Sequence, residues 1–340
     1  MRTRTTHAEQ TPARSALLRP SQSRHHDRQD LLRELGRVEQ RPGGGPIRID
    51  DEHRLTVKHP TKVLWPSLGV TVADLMRFYI GMAPVLLPYL EERPLSFRRF
   101  PEGIEGSSQF HQRIKWATPS GVKVASFAAQ GKNFEPRLIG GDLTTLLYCV
   151  GLDMISQDVW LSRLGSPDRP DFAVFDLDPS PAVSFAQVVD VARRLHDVLD
   201  AHGVPHGVKT SGMSGLHIYV PVRNTDYSTT RAFVLQFAGH IAAKHPTLAT
   251  VARAIQQRGR RVYIDSDQNL RAKTMAAPYS ARHSTFAGVS APVTWQELAD
   301  GARPEDFTIG TLLARVRRMG DLWADLSQRP LDLGAVLGAA

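Results

Sequence analysis

The stretch FAVFDLD, Phe172 to Asp178, narrows the fold more than any other in this chain: it is an apolar run of strand length that ends in two acids one residue apart. A helix signal follows it closely. Ser184 and Gln187 form a capping box in front of the amphipathic run FAQVVDVARRLHDVLDAHG, which Gly203 stops. Two short strand-like runs come next, HGVKTS and LHIYVPV, joined by the tight turn GMSG. Another helical run, TTRAFVLQFAGHIAAKH, leads to the strand RRVYIDSD. Strands and helices mixed in this way predict an α+β or α/β domain, and there is no internal repeat.

Alternation along a strand turns Ala173, Phe175 and Leu177 to one face and Val174, Asp176 and Asp178 to the other. Two carboxylates on one side, ~6.5 to 7 Å apart along the backbone, can close on a shared divalent cation. The alternative is a plain turn at Asp178-Pro179 with Asp176 paired to an arginine. RRVYIDSD offers a third acid, Asp265, at the end of another apolar strand. Three strand-end carboxylates suit hard cations that must also bind phosphate oxygens, because Mg²⁺ or Mn²⁺ takes few protein ligands.

Between the acids lies KTSGMSGLHIYVPV. Gly212 and Gly215 permit a turn with positive φ, and Ser211 and Ser214 offer donors, so this turn can cradle a phosphate. His217 opens the following strand, either as a phosphate contact or as a hydrogen-bonded core histidine. The loop after Asp265 carries Gln268, Asn269, Lys273, Thr274, Tyr279, Ser280 and Arg282, groups suited to sharing the charge of a polyphosphate.

Upstream, residues 1–46 are polar and hold nine Arg against five acids. They read as a disordered tail, a loose nucleic-acid tether or a solvated extension. Thr71 caps a helix with Asp74 at its third position, and Pro84 is expected to bend or interrupt it. RPLSFRRFPEG is a basic, strand-like stretch. The whole chain of 340 residues carries 42 Lys and Arg against 34 Asp and Glu, a net charge of +8, which favours an anionic partner. Cys149 is alone, so a disulfide framework and a thiolate metal site within the chain are excluded. The sequence has no run of about 18 apolar residues and no apolar leader, so a cytoplasmic protein with no membrane partner is expected.

Taken together, VFDLDPSP, KTSGMSGLHIYVPV and VYIDSDQNLRAKTMAAPYSAR closely resemble the three motifs of the polymerase domain of bacterial DNA ligase D, within the archaeo-eukaryotic primase superfamily. The similarity extends through HPTKVLWPSLGVT, LLPYLEERPLSFRRFPEGIEG, DVWLSR and VSAPVTWQEL, over most of residues 50 to 300. The resemblance implies an α+β primase-polymerase fold, with a mixed or antiparallel catalytic sheet flanked by helices and an N-terminal subdomain. The expected divisions are a tail over 1–46, a domain over 47–320 (N-terminal part 47–165, catalytic core 166–300) and a C-terminal extension over 321–340.

The resemblance further implies a nucleotidyltransferase that adds NTPs or dNTPs to gapped or broken DNA ends in end joining. Asp176, Asp178 and Asp265 would hold two Mn²⁺ or Mg²⁺ ions. Ser211, His217, Arg258, Gln268, Lys273 and Arg282 would bind the nucleotide, and Lys62, Arg98 and Arg99 the DNA and its 5′-phosphate. Phe97 and Phe100 are packing or stacking candidates. DNA with gaps or double-strand-break ends, Ku and a separate ATP-dependent ligase are the expected partners, in a nucleoid-associated cytoplasmic setting.

Three positions depart from the family pattern: Ser214 stands where the turn usually has Lys or Arg, Asp158 where His is frequent, and Val72 where a second phosphate-binding Lys occurs. They leave open a weakly active or inactive paralogue that only binds DNA ends. VFDLDPS also resembles the first motif of haloacid-dehalogenase-type phosphatases, a remote alternative.

Overall fold

A computed structural model of the chain describes residues 28–128 and 134–334. Its centre is a mixed, mainly antiparallel sheet, in which the Phe172–Pro179 strand lies between Leu216–Arg223 and Val262–Asp265. Gly207–Thr210 pairs with the far side of Leu216–Arg223, and Pro292–Val293 closes that edge. At the other edge Ala249–Thr250 runs parallel to Val262–Asp265.

Two helices, Phe185–Ala201 and Tyr227–Lys244, back one face of this sheet. Phe175 meets Phe233 edge-on there, with ring centroids 6.1 Å apart. Asp176 and Asp178 therefore face away from the helices, as strand alternation requires. The predicted capping boxes at Thr71/Asp74 and Ser184/Gln187 are both present.

Asn269 locks the strand in register beyond the point where its Val262–Asp265 neighbour ends. Its side chain accepts from Val174 N and donates to Val174 O, both at 2.8 Å, in place of a ladder partner. Asn269 is fully buried.

A second sheet orders Thr274–Ala276, Asp158–Trp160, Leu95–Arg99 and Gln109–His111 side by side. Its first strand comes from the chain after Asp265, so the parts expected at 47–165 and 166–300 interlock. Trp65 strengthens this join by donating its buried Nε1–H to Ser284 O at 2.8 Å. Phe97 and Phe100 are buried, which fits packing.

Three expectations are corrected. Residues 28–46 are not tail: Arg28–Glu39 is a helix that buries Leu31, Leu35 and Val38, and Gly45–Arg48 pairs with Arg54–Val57. The short polar look of the segment hid an apolar stripe at i, i+4 and i+7. Residues 1–27, the remainder of the expected tail, lie outside the described residues. Of the bend or interruption expected at Pro84, the interruption does not occur: the helix runs from Val72 to Leu90 through Pro84 and Pro88, its length held by the many side chains it buries. Residues 321–334 are part of the core rather than an extension: Trp323, Leu326 and Leu333 are buried, and Leu331–Asp332 adds a parallel pair to Leu216–Arg223.

Candidate active site

Register builds the site. Asp176 is directly opposite Asp265 on one side and His217 on the other, and His217 is opposite Lys209 on the next strand. Directly opposed residues project to the same face. One rung across four strands thus carries acid, acid, imidazole and amine, and Asp178 stands two residues further along the same face.

The three carboxylates each present an oxygen within 4.8 Å of the others. Asp176 is buried, Asp265 half-buried and Asp178 exposed, so the cluster opens outward. Burial pushes the Asp176 carboxyl up to about 6, against the pull of the Lys209 and Arg282 charges. Asp178 has an open side, yet the protein behind it together with Asp176 and Asp265 pushes its carboxyl up to about 7. Asp265 is raised as well, first by burial, while the Asp267 N–H, 2.7 Å from Oδ1, pulls the other way.

These groups fit a divalent cation. Asp176 Oδ1 is fully buried with no hydrogen-bond donor, although His217 Nε2 is 3.3 Å away. An orphaned buried carboxylate oxygen flanked by two raised carboxyls is what a hard cation satisfies.

Lys209 was not singled out by sequence reasoning. It is fully buried, and its Nζ lies 2.7 Å from His217 Nδ1 and also donates to Ser290 Oγ. As an ammonium Lys209 can only donate, so His217 Nδ1 then accepts and Nε2 carries the hydrogen toward Asp176. Burial drives Lys209 and His217 both well below their ordinary values, and the Arg282 charge adds to each. Asp158, placed where the family often has histidine, opposes both shifts with its negative charge.

The turn behind His217 is held by Ser211, whose Oγ accepts from Met213 N at 3.1 Å and Gly215 N at 3.0 Å. Its hydroxyl hydrogen stays available to a ligand. Gly212 has φ 75, and a Cβ there would lie 2.9 Å from Ser290 N. A Cβ on Gly215 would overlap the Leu177 carbonyl oxygen, so the turn touches the acid strand backbone to backbone. Ser214 is exposed at the turn's tip, while Val72 is buried at a helix start.

Of the other expected residues, Gln268 donates to Asp265 Oδ2 at 3.4 Å and hydrogen-bonds Asp176. Arg258 lies over the Tyr263 ring at 3.8 Å, and Tyr263 OH donates to Asp265 Oδ1 at 3.1 Å. Arg282 contacts Met213 Sδ in the turn, and its Nε is buried without a partner. The structure brings these three, together with Ser211 and His217, around the carboxylates. Lys273 is different: it is exposed, and among the described residues its side chain makes no hydrogen bond or ion pair with the rung.

The residues expected at the DNA lie apart from these: Arg98 and Arg99 are on the second sheet, and Lys62 just precedes the short Val63–Trp65 strand. Lys62 pairs with Asp153 at 2.7 Å. Arg99 donates to Leu152 O at 2.9 Å, while Arg98 lies 5.7 Å from the Phe110 ring centroid and donates to Ser108 Oγ. Phe100 joins the two groups, with its ring 5.1 Å from that of His283, which follows Arg282.

An antiparallel acid-bearing sheet backed by helices, interlocked with a second basic sheet, defines a primase-polymerase type of domain. The family described as "LigD, primase-polymerase domain" matches residues 71–323, and the chain belongs to it. It is 32% identical over 280 residues to the multifunctional non-homologous end joining protein LigD of Mycobacterium bovis, covering 80% of this chain and 37% of that protein. It is 29% identical over 280 residues to the bifunctional non-homologous end joining protein LigD of Bacillus subtilis, covering 81% of this chain and 45% of that one. The chain therefore spans less than half the length of these relatives. The solved polymerase domain of Mycobacterium tuberculosis ligase D, in complex with DNA, superposes with a TM-score of 0.76 at 30% identity, covering 82% of this chain and 99% of that one. The phosphatase alternative is set aside by this fold and family. Among the described residues no helix is long and apolar enough to cross a membrane.

Proposed function

We propose that this chain is a DNA-directed nucleotidyltransferase that adds ribo- or deoxynucleotides to gapped or broken DNA ends. The observation that carries this reading is the rung Asp265–Asp176–His217–Lys209 with Asp178 beside it. Asp176, Asp178 and Asp265 would hold two divalent ions, Mn²⁺ or Mg²⁺, whose charge favours the ionised primer hydroxyl and offsets the negative charge of the reacting phosphate. His217 directs its Nε2–H, and Ser211 its hydroxyl, toward the side where the triphosphate must lie. Lys209 holds the His217 ring and its tautomer. Arg258 and Arg282, whose charges already bear on the carboxylates, supply fixed cations for the phosphates. Lys273 is placed to join them only if its loop closes over the nucleotide.

Lys62, Arg98 and Arg99 serve the DNA. Because Asp153 already holds Lys62, a 5′-phosphate at Lys62 has to displace or share that carboxylate. End joining is the proposed setting, with Ku and a separate ATP-dependent ligase as partners, in a nucleoid-associated cytoplasmic location.

A weakly active end-binding paralogue is favoured by one observation: the exposed turn tip carries uncharged Ser214. The complete carboxylate cluster weighs against it. Titration of a fluorescent NTP and dNTP pair with Mn²⁺ distinguishes the two. Nucleotide binding that requires Mn²⁺ and disappears in Asp265→Ala supports the transferase. DNA-end binding with no metal-dependent nucleotide binding establishes the end binder.

A further inference from the structure

Away from the carboxylates, four cations line a surface that the reaction does not use. The Arg28–Glu39 helix buries its apolar stripe and leaves Arg37 exposed. After the helix, Gly43 and Gly44 take left-handed φ values of 80 and 76, and a Cβ on Gly44 would overlap the Val57 carbonyl oxygen. This backbone contact, open only to glycine, folds the loop of Arg41 down beside Lys58.

Two surface hollows meet at Arg41. One is lined by Arg37, Arg41 and Arg54, the other by Arg41, Lys58 and Lys62. Arg37, Arg41, Arg54 and Lys58 are all exposed, and none has an ion-pair partner among the described residues. The nearby acids are engaged elsewhere: Glu39 pairs with Arg77, and Glu34 accepts from Arg48 N. Like charges lined up this closely repel one another, and a bound polyanion relieves that.

We propose that Arg37, Arg41, Arg54 and Lys58 form a second nucleic-acid surface, which follows the phosphate backbone of a DNA duplex beyond Lys62. The cations are spread along two hollows instead of converging on one point, which suits regularly spaced monoanions and not a single phosphate. A line of contacts also joins Lys62, at the end of these hollows, to the candidate active site. Lys62 pairs with Asp153, Asp153 O accepts from Phe100 N at 2.9 Å, and the Phe100 ring lies tilted against that of His283 beside Arg282. A duplex arm whose 5′-phosphate lies at Lys62 thus runs outward over Lys58 and Arg41 to Arg37 and Arg54. This placement rests on the DNA-directed reading above, but binding can be measured without turnover.

Fluorescence anisotropy of the full chain with a 5′-phosphorylated gapped duplex provides the test, with the arm beyond the 5′-phosphate either short or long, over a range of salt. The triple variant Arg37→Gln/Arg41→Gln/Lys58→Gln is compared with a control of equal charge change, Arg193→Gln/Arg223→Gln/Lys244→Gln, and thermal melts establish that each is folded. The wild type and the control should bind more tightly as the arm lengthens. The groove variant should lose that gain, and its slope of log K against log salt should fall by up to about 3, at ~0.9 per phosphate contact. An unchanged length dependence in the groove variant, or an equal loss in the control, overturns the groove and leaves the transferase reading standing. If the wild type binds no DNA at all, both fall together.

Discussion

Replacing Lys209 by Met tests the link between the sheet and the chemistry. Methionine is nearly as long and fills the same buried space, but it cannot donate to His217 Nδ1 at 2.7 Å or to Ser290 Oγ. Ser290 keeps its own bond to Thr210 O at 3.0 Å. His217 has no such substitute, so its proton moves to Nδ1 in part of the population, and Nε2 then turns a lone pair toward Asp176 and toward any phosphate. Losing a hydrogen bond to a charged acceptor costs about 1.5–3 kcal/mol. At ~1.4 kcal/mol per factor of ten, that is a roughly ten- to hundredfold slower single-turnover extension at saturating nucleotide. ¹⁵N NMR of the imidazoles, with the His217 signal assigned by its loss in His217→Gln, should show an Nε2–H tautomer in the wild type and a mixture in Lys209→Met. A variant that keeps both its rate and its His217 tautomer refutes the positioning argument.

Other perturbations probe the supports of the site. Asn269→Ala removes both partners of buried Val174, and at about 1–3 kcal/mol for each orphaned group it should lower denaturant stability by ~2–6 kcal/mol. Gly215→Ala pushes a methyl into Leu177 O, so it should weaken nucleotide binding more than Ser214→Ala, whose side chain is exposed. The metal-free carboxylates carry a definite pH sign: Asp176, raised from 3.8 to about 6, binds a proton more tightly folded than unfolded, so stability falls as pH rises through that window. Asp176→Asn should therefore be more stable than the metal-free wild type at pH 8, by on the order of 2 kcal/mol, with the gap closing near pH 4. Thermal melts with a chelator check this, and adding Mn²⁺ at pH 8 should raise the wild-type midpoint alone.

Much of the site was legible in the sequence because strand alternation is local. FAVFDLD assigns its own faces, and the two capping boxes announce their helices. The pairing of Lys209 with His217 had a signal too: a hairpin closed by the turn around Gly212 to Gly215 sets these residues opposite each other. It went unread because lysine before a glycine turn looks like an exposed strand end, and only the packing of Ser290 against it makes it buried. The Arg28–Glu39 helix was missed because three apolar side chains among arginines give a weak local signal; it becomes stable by packing on the Val72–Leu90 helix and the Gly45–Arg48 strand. Pro84 does not interrupt its helix for a similar reason, since the local cost of a proline is outweighed by a helix buried along most of its length. The interlocking of the two sheets through Thr274–Ala276 is a long-range pairing with no local sequence mark.

The proposed function requires that the Asp265–Asp176–His217–Lys209 rung, with Asp178, support nucleotide transfer. Primer extension on a gapped, 5′-phosphorylated duplex with Mn²⁺ and labelled nucleotides tests it most directly. The prediction is extension by the wild type that a chelator stops and that Asp176→Ala and Asp178→Ala abolish while each variant remains folded. No extension by the wild type with either Mn²⁺ or Mg²⁺, or extension that persists in both aspartate variants, contradicts it.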